Sequence, residues 1–373
     1  MKSVLFDVDG VFLSEERCFD VSALTVYEML MSKDYIGLDP SIQFENLSDE
    51  QITEIRDIVF YHDEILTKLK SLGLNSNWDM LFVVIAIHFV DICKTLSADV
   101  LAEILDPEKF GQATLQKLGN QISNITLNFD APLSFLEHVR TGKDNIYQDL
   151  ITYASEQLDT QQTALFELKS PFWLLSQEIY QEWYLGNQLY NEVEQKLNRS
   201  NFKKGYIYNE VVLRPVAEIK QLLEDLKAAG YHIAIATGRP RTETLVPFDT
   251  IGIKDIFEDK HIVTASEVLI AEDIYPELKP LGKPNPFSYL ATLEGNFEED
   301  YKKYATNQEN RVIKNEVFVV GDSLADLLSA KKIGATFIGP LTGLKGQNAR
   351  EELEAYEADY IVDHVGEIRN ILL

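Results

Sequence analysis

Ser3-Val-Leu-Phe-Asp7-Val-Asp9-Gly10 (SVLFDVDG, residues 3–10) is a short apolar run that stops at two acids and a glycine. Such a run, bounded by turn-forming residues, has the profile of a strand buried on both faces, with Asp7, Asp9 and Gly10 in a tight loop at its C-terminal end. A lone four-residue strand is not stable and must add to a sheet written elsewhere. That sheet begins after Leu213. VAEIKQLLEDLKAAG reads as an amphipathic helix ended by Gly230, and YHIAIA as a strand stopped by Thr237-Gly238. KHIVTA, EVFVVGD, ATFIGP and ADYIVD follow as further short apolar runs, separated by segments such as SLADLLSAKKIGA that have helical spacing and end on Gly334. The alternation predicts an α/β fold, a Rossmann-like parallel sheet covered by helices on both faces.

Between these parts the character changes. From about Val21 to Asn201, apolar residues recur at helical spacing, as in LSDEQITEIRDIVFYHDEILTKLKSL and FWLLSQEIYQEWYLGNQLYNEVEQKL. The organisation expected is one α/β core from residues 1–18 plus 206–373, with a large, mostly α-helical insertion at 19–205. MLFVVIAIHFV (Met80–Val90) is the longest apolar run, too short for a bilayer span of about 18–20 residues, and reads as a helix buried in a core. His88 within it is expected to be a hydrogen-bonded core histidine. His62, Trp78, Trp173 and Trp183 likewise read as structural residues at helical spacing. The polar stretch 294–315 reads as an exposed helix or loop, and Ser14, Glu15 and Glu16 as a solvated run.

The charge balance narrows the partners. Sixty acidic residues against 34 basic give a net charge of −26, which repels polyanions, so neither nucleic acid nor an anionic membrane surface is expected. Two cysteines, Cys18 and Cys93, cannot build a zinc or disulfide framework, and a reducing cytoplasm is the expected location. The first ten residues reach acids too soon for a secretory signal.

Four short motifs lie at or just beyond the expected strand ends, where ligand crevices of open α/β sheets form. They are Asp7-Val8-Asp9-Gly10, Thr237-Gly238-Arg239-Pro240, Gly282-Lys283-Pro284 and Gly321-Asp322-Ser323-Leu324-Ala325-Asp326. Each alone is ordinary loop composition. In this order and at these positions they resemble the haloacid dehalogenase superfamily, which is mostly phosphatases. The resemblance covers the first fifteen or so residues and nearly everything after about Tyr206. The insertion resembles the helical cap that one branch of the family carries after its first motif, although its sequence does not match. Such a cap would close over the site, exclude bulk water and choose the substrate.

The resemblance implies Mg²⁺-dependent hydrolysis of a small phosphorylated metabolite through an aspartyl-phosphate. Asp7 is the candidate nucleophile, because a carboxylate that attacks phosphorus splits one very slow hydrolysis into two steps. Asp9 is the candidate proton donor and acceptor, and an acid at this second position is what the family's phosphoryl-transfer members carry. The implied metal ligands are the Asp7 side chain, the Asp9 backbone carbonyl and Asp322, with Asp326 in support by hydrogen bonding or through metal-bound water. The other reading of Asp326 is a carboxylate on a helix surface.

Thr237 offers a hydroxyl and Gly238 an unobstructed N–H to phosphate oxygens. Lys283 would set a compact positive charge against the nucleophile, with Lys279 in LKPLGKPNP as the rival. Arg239 departs from the small or amide residue that nearby relatives carry, and either contacts substrate or sits in solvent. Two other functions stay open. One is a phosphomutase or phosphotransferase using the same residues, and the other is a non-catalytic binding or regulatory protein on the same scaffold.

Overall fold

The computed structural model of the protein describes residues 2–122 and 125–373. It divides into two compact units, Met1–Glu15 with Ile207–Leu373, and Glu16–Tyr206. The first holds a six-stranded sheet whose strands are β1 (Ser3–Phe6), β2 (His232–Ala236), β3 (Ile262–Val263), β4 (Val317–Val320), β5 (Thr336–Pro340) and β6 (Tyr360–Val362). Their order is β3-β2-β1-β4-β5-β6, and all pairs are parallel.

β1 is central because it is apolar on both faces. Val4 and Phe6 enter a core with Ile219, Leu222 and Leu223 of the helix Val216–Ala228, while Leu5 enters the opposite core with Tyr289, Leu290 and Leu327. The chain winds outward from β1 through β2 and β3, then returns to β4 on its other side. That reversal opens a crevice at the C-terminal ends of β1 and β4. The register pairs Phe6 with Ile235 and with Val320, so the loops after three strands leave the sheet at nearly the same level.

Two details depart from the sequence reading. KHIVTA contributes only Ile262–Val263 as strand, because the Thr264 side chain and Glu267 form a capping box that starts the helix Ala265–Ile274 at once. Within 294–315, the short helix Tyr301–Thr306 buries Tyr301 and Tyr304, whose rings pack against Phe287.

The second unit is helical, and among its described residues no helix is long and apolar enough to cross a membrane. The periodic stretch 47–72 is not one helix. Tyr61, His62 and Asp63 all take positive φ (47°, 53° and 65°), which separates Asp49–Val59 from Glu64–Ser71. Met80–Val90 lies inside the helix Asn77–Cys93, buried on every side. Trp173 Nε1 donates to Asp79 (3.0 Å) and Trp183 Nε1 to Glu28 (2.7 Å), so these indoles anchor buried carboxylates of the core. Glu16 at the unit's start pairs with Arg56, so it belongs to an ion-pair cluster with Asp20 and Asp63.

His88 needs a correction. It is fully buried with its ring edge-on to Phe129, yet neither ring nitrogen has a hydrogen-bond partner among the described residues. The Phe129 ring beside it has no acceptor or donor to offer an imidazole. Burial lowers its pKa to about 4, against an ordinary 6.5.

Because the folded pKa lies below the unfolded one, the unfolded chain takes up the proton first. The stability this group permits is complete above pH 6.5 and falls away between 6.5 and 4, by about 2 kcal/mol at pH 5. His88→Leu should therefore shrink the loss of unfolding free energy between pH 7.5 and pH 5 by about that amount, as read by urea titration with circular dichroism. An unchanged difference would clear His88 as its source.

Candidate active site

Asp7 follows β1 directly. Its backbone N–H donates to Val320 O of β4 (2.9 Å), and its Oδ1 accepts the N–H of Val8 (2.8 Å), which turns the carboxylate back over the strand end. The loop closes through Gly10, whose N–H donates to Leu13 O (2.8 Å). Gly10 has φ +72°, and a Cβ there would stand 2.3 Å from Asp322 Cγ, so both its conformation and its closeness to the carboxylate exclude a side chain.

The loop after β4 delivers Asp322 and Asp326. Ser323 caps the helix Leu324–Ile333, and its Oγ–H (2.6 Å) and N–H (3.2 Å) donate to Asp326 Oδ2. Asp326 is not a helix-surface carboxylate. It is fully buried, and its Oδ1 accepts from Tyr289 Oη (2.8 Å) and lies 2.8 Å from Lys283 Nζ. The helix Phe287–Glu294 supplies Tyr289, whose ring also lies under the Lys283 ammonium (4.9 Å to the centroid).

Of the two lysines, Lys283 reaches the site, with Nζ 3.0 Å from Asp7 Oδ1. Lys279 is half exposed beside Asp273. On the β2 side, Thr237 is buried, its N–H donates to Val263 O (3.0 Å), and its Oγ1 accepts the N–H of Arg239 (3.2 Å). A Cβ built on Gly238 would meet nothing within 4 Å, so that backbone faces open space. The Asp9 side chain pairs with Arg239. Arg239 is buried, which removes the solvent reading of that residue.

Oxygens of Asp7, Asp322 and Asp326 lie within 4.8 Å of one another. Two buried carboxylates and a partly buried third this close repel strongly, and the acidities record it. Burial, with the charges of Asp326 and Asp9 adding to it against Lys283, pushes Asp7 up to about 7. Burial, and then the charges of Asp326, Asp7 and Glu15, pushes Asp322 well above the carboxylate range. Asp326 goes the other way: burial raises it, but Lys283 and the hydrogen bonds from Lys283, Ser323 and Tyr289 outweigh that and leave it below its ordinary value. The same two carboxylates, Asp326 and Asp7, hold the Lys283 ammonium above its usual pKa despite burial.

Asp326 thus has its neutralising partner, while Asp7 and Asp322 are short of positive charge. An all-oxygen set in that condition fits a hard divalent cation, and the triad can hold one.

Several neighbours carried no signal in the sequence reading. Gly343, on the loop after β5, would put a Cβ 1.8 Å from Asp322 Oδ2, and Thr342 Oγ1 donates to Gly10 O (2.6 Å). Glu210, the second partner of Arg239, also went unnoticed. Ser323 could have been found, since Ser-x-x-Asp ahead of an apolar helical run is a capping signature.

These motifs on a parallel sheet define a hydrolase of the haloacid dehalogenase type, and a family model agrees. The model for haloacid dehalogenase-like hydrolases matches residues 144–339, and the chain belongs to that family. The match takes in Thr237, Lys283, Asp322 and Asp326, while Asp7 and Asp9 precede it.

Among curated proteins, the chain is 27% identical over 155 residues to a phosphoglycolate phosphatase of Vibrio vulnificus (strain CMCP6), covering 42% of this chain and 55% of that protein. It is 29% identical over 182 residues to one of Haemophilus influenzae (strain 86-028NP), covering 48% and 67%. The chain spans about half the length of the first of these. A crystal structure of a Northeast Structural Genomics Consortium target is 56% identical, covers 100% of this chain and 98% of its own, and superposes with a TM-score of 0.96.

Proposed function

We propose that the protein is a Mg²⁺-dependent phosphatase acting on a small phosphorylated metabolite. The observation that carries this reading is the Lys283 ammonium lodged between Asp7 and Asp326, with Asp322 completing a triad that demands further positive charge.

An Asp7 oxygen attacks phosphorus, the ester P–O bond breaks, and the leaving alkoxide takes a proton from Asp9. Water then attacks the aspartyl-phosphate, giving its proton to Asp9, and Asp7 leaves with free phosphate formed. The Thr237 hydroxyl and the open N–H of Gly238 hold the phosphoryl oxygens, while Lys283 offsets the charge that builds on them. Asp7, Asp322 and the Asp9 carbonyl would hold the cation, with Asp326 behind them keeping Lys283 in line, and the metal would supply charge neutralisation between carboxylates and phosphate. The thiols of Cys18 and Cys93 suit a reducing, cytoplasmic setting.

The test is release of inorganic phosphate from p-nitrophenyl phosphate and from a panel of phosphorylated metabolites that includes phosphoglycolate, the substrate in the names of the curated relatives. Turnover with Mg²⁺ that stops in EDTA and returns on adding metal is the expected result. No release from any member with Mg²⁺ present would overturn the proposal, and an acceptor-dependent transfer without free phosphate would move it to a mutase.

A further inference from the structure

Tyr289 touches both members of the ion pair on which the site is built. Its Oη donates to Asp326 Oδ1 (2.8 Å), and its ring lies under the Lys283 ammonium, with Nζ 4.9 Å from the centroid. The residue is fully buried on the helix Phe287–Glu294 and packs in the core that holds Leu5 of β1, so close packing fixes the ring.

The hydroxyl completes the seating of Asp326. A carboxylate offers about four acceptor positions. Oδ1 faces Tyr289 Oη and Lys283 Nζ, both at 2.8 Å, and Oδ2 faces the Ser323 Oγ–H (2.6 Å) and N–H (3.2 Å). With every position occupied, Asp326 is held in one place.

Lys283 has no such directional seat. Its ammonium is a compact charge on a flexible four-carbon stem, 2.8 Å from Asp326 and 3.0 Å from Asp7. Left to the two carboxylates alone, it would settle on whichever carries the more negative charge. Tyr289 acts on that balance twice. The hydroxyl hydrogen draws charge off the Asp326 oxygen that competes for the ammonium, and the ring face attracts the ammonium from a third direction. The loop behind is also tied down, since the carbonyl of Pro284 lies 3.0 Å from Ser329 Oγ on the helix that carries Asp326.

We infer that Tyr289 is a positioning residue for phosphoryl transfer, holding the Lys283 ammonium between Asp326 and Asp7 so that it meets the phosphoryl oxygens as charge builds on them. The inference rests on the phosphatase reading above and adds to it a residue that acts through Lys283.

With p-nitrophenyl phosphate and saturating Mg²⁺, Tyr289→Phe should lower kcat about tenfold and leave KM and the half-saturating Mg²⁺ concentration within about twofold, as expected for an interaction made only in the transition state. Tyr289→Leu, which removes the ring as well, should lower kcat about thirtyfold. A residue that only fills the core would cost the same in any background. On Lys283→Met, therefore, adding Tyr289→Phe should change kcat by less than about twofold.

Nuclear magnetic resonance on protein labelled with ¹⁵N-lysine reads the same link without turnover, in EDTA. The Lys283 ammonium resonance, identified by its absence in Lys283→Arg, should be shifted upfield by the ring in the wild type and in Tyr289→Phe, and should lose that shift in Tyr289→Leu. A Tyr289→Phe kcat within about twofold of the wild type, an equal loss with and without Lys283, or an ammonium shift indifferent to Tyr289→Leu would each overturn the role. Those results spare the phosphatase as long as the wild type turns over, whereas a wild type that releases phosphate from no ester takes down both.

Discussion

Replacing Asp7 with Asn is expected to lower turnover of p-nitrophenyl phosphate by about ten-thousand-fold, because the covalent route is lost and only substrate positioning and charge stabilisation remain. The same variant should be more stable than the wild type in EDTA at pH 8. An acid whose folded pKa is raised, here to about 7 from an ordinary 3.8, favours the fold while it is protonated. The penalty is absent below about pH 4, grows as pH rises to 7 and is constant above that, reaching a few kcal/mol. Metal-free wild type should therefore lose thermal stability between pH 5 and pH 8, and Asp7→Asn should lose less. Mg²⁺ should restore the wild type at pH 8. Full turnover in Asp7→Asn would end the nucleophile assignment, and equal pH dependence in the two proteins would show that the carboxylates do not repel as their spacing requires.

Lys283→Met is expected to have the second largest effect, and it acts on both activity and stability. The methionine approximates the lysine's length but leaves Asp326, Asp7 and Asp322 facing one another without the ammonium. Removing one partner of a buried pair leaves an uncompensated charge, worth about 3–5 kcal/mol of unfolding free energy at neutral pH. Losing a cation that offsets transition-state charge should lower kcat by about a hundredfold to a thousandfold even with saturating Mg²⁺. Lys279→Met is the control. Lys279 is half exposed, 3.9 Å from Asp273, and its loss should change stability by less than about 0.5 kcal/mol and leave kcat alone. Urea titration and steady-state kinetics on the pair decide the matter, and a wild-type kcat in Lys283→Met would remove the residue from the chemistry.

What could be read in the chain follows from where its information is local. Asp7, Thr237 and Asp322 were legible because each ends a short apolar run, and an abrupt change from apolar to polar marks a strand end whatever surrounds it. Asp326 was half legible, since its spacing gave a helix face but not which way that face points. Buried polar partnership is a property of tertiary neighbours, and sequence spacing says nothing of it. Hence the choice between Lys279 and Lys283, the pairing of Arg239 with Asp9 and Glu210, and the need for a bare backbone at Gly343 required coordinates. The break at Tyr61-His62-Asp63 was hidden for a related reason, because no glycine or proline punctuates it. His88 was placed correctly in a core, but the hydrogen bond expected of it finds no partner among the described residues, since periodicity reports burial but not the company a side chain keeps.

The middle strand carries a consequence for how the molecule is made. β1 aligns Ser3 with His232 on one side and Val317 on the other, so neither neighbour exists until a long stretch of chain beyond β1 has been made. Contacts between segments so distant in sequence are slow to form, whereas the intervening helices draw on nearby contacts and can assemble first. Asp7, at the end of that strand, is thus made well before the strands that flank it and is among the last residues to be seated. A nascent chain interrupted short of the fourth strand would hold the helical segments but neither Asp322 nor Asp326 to set beside Asp7.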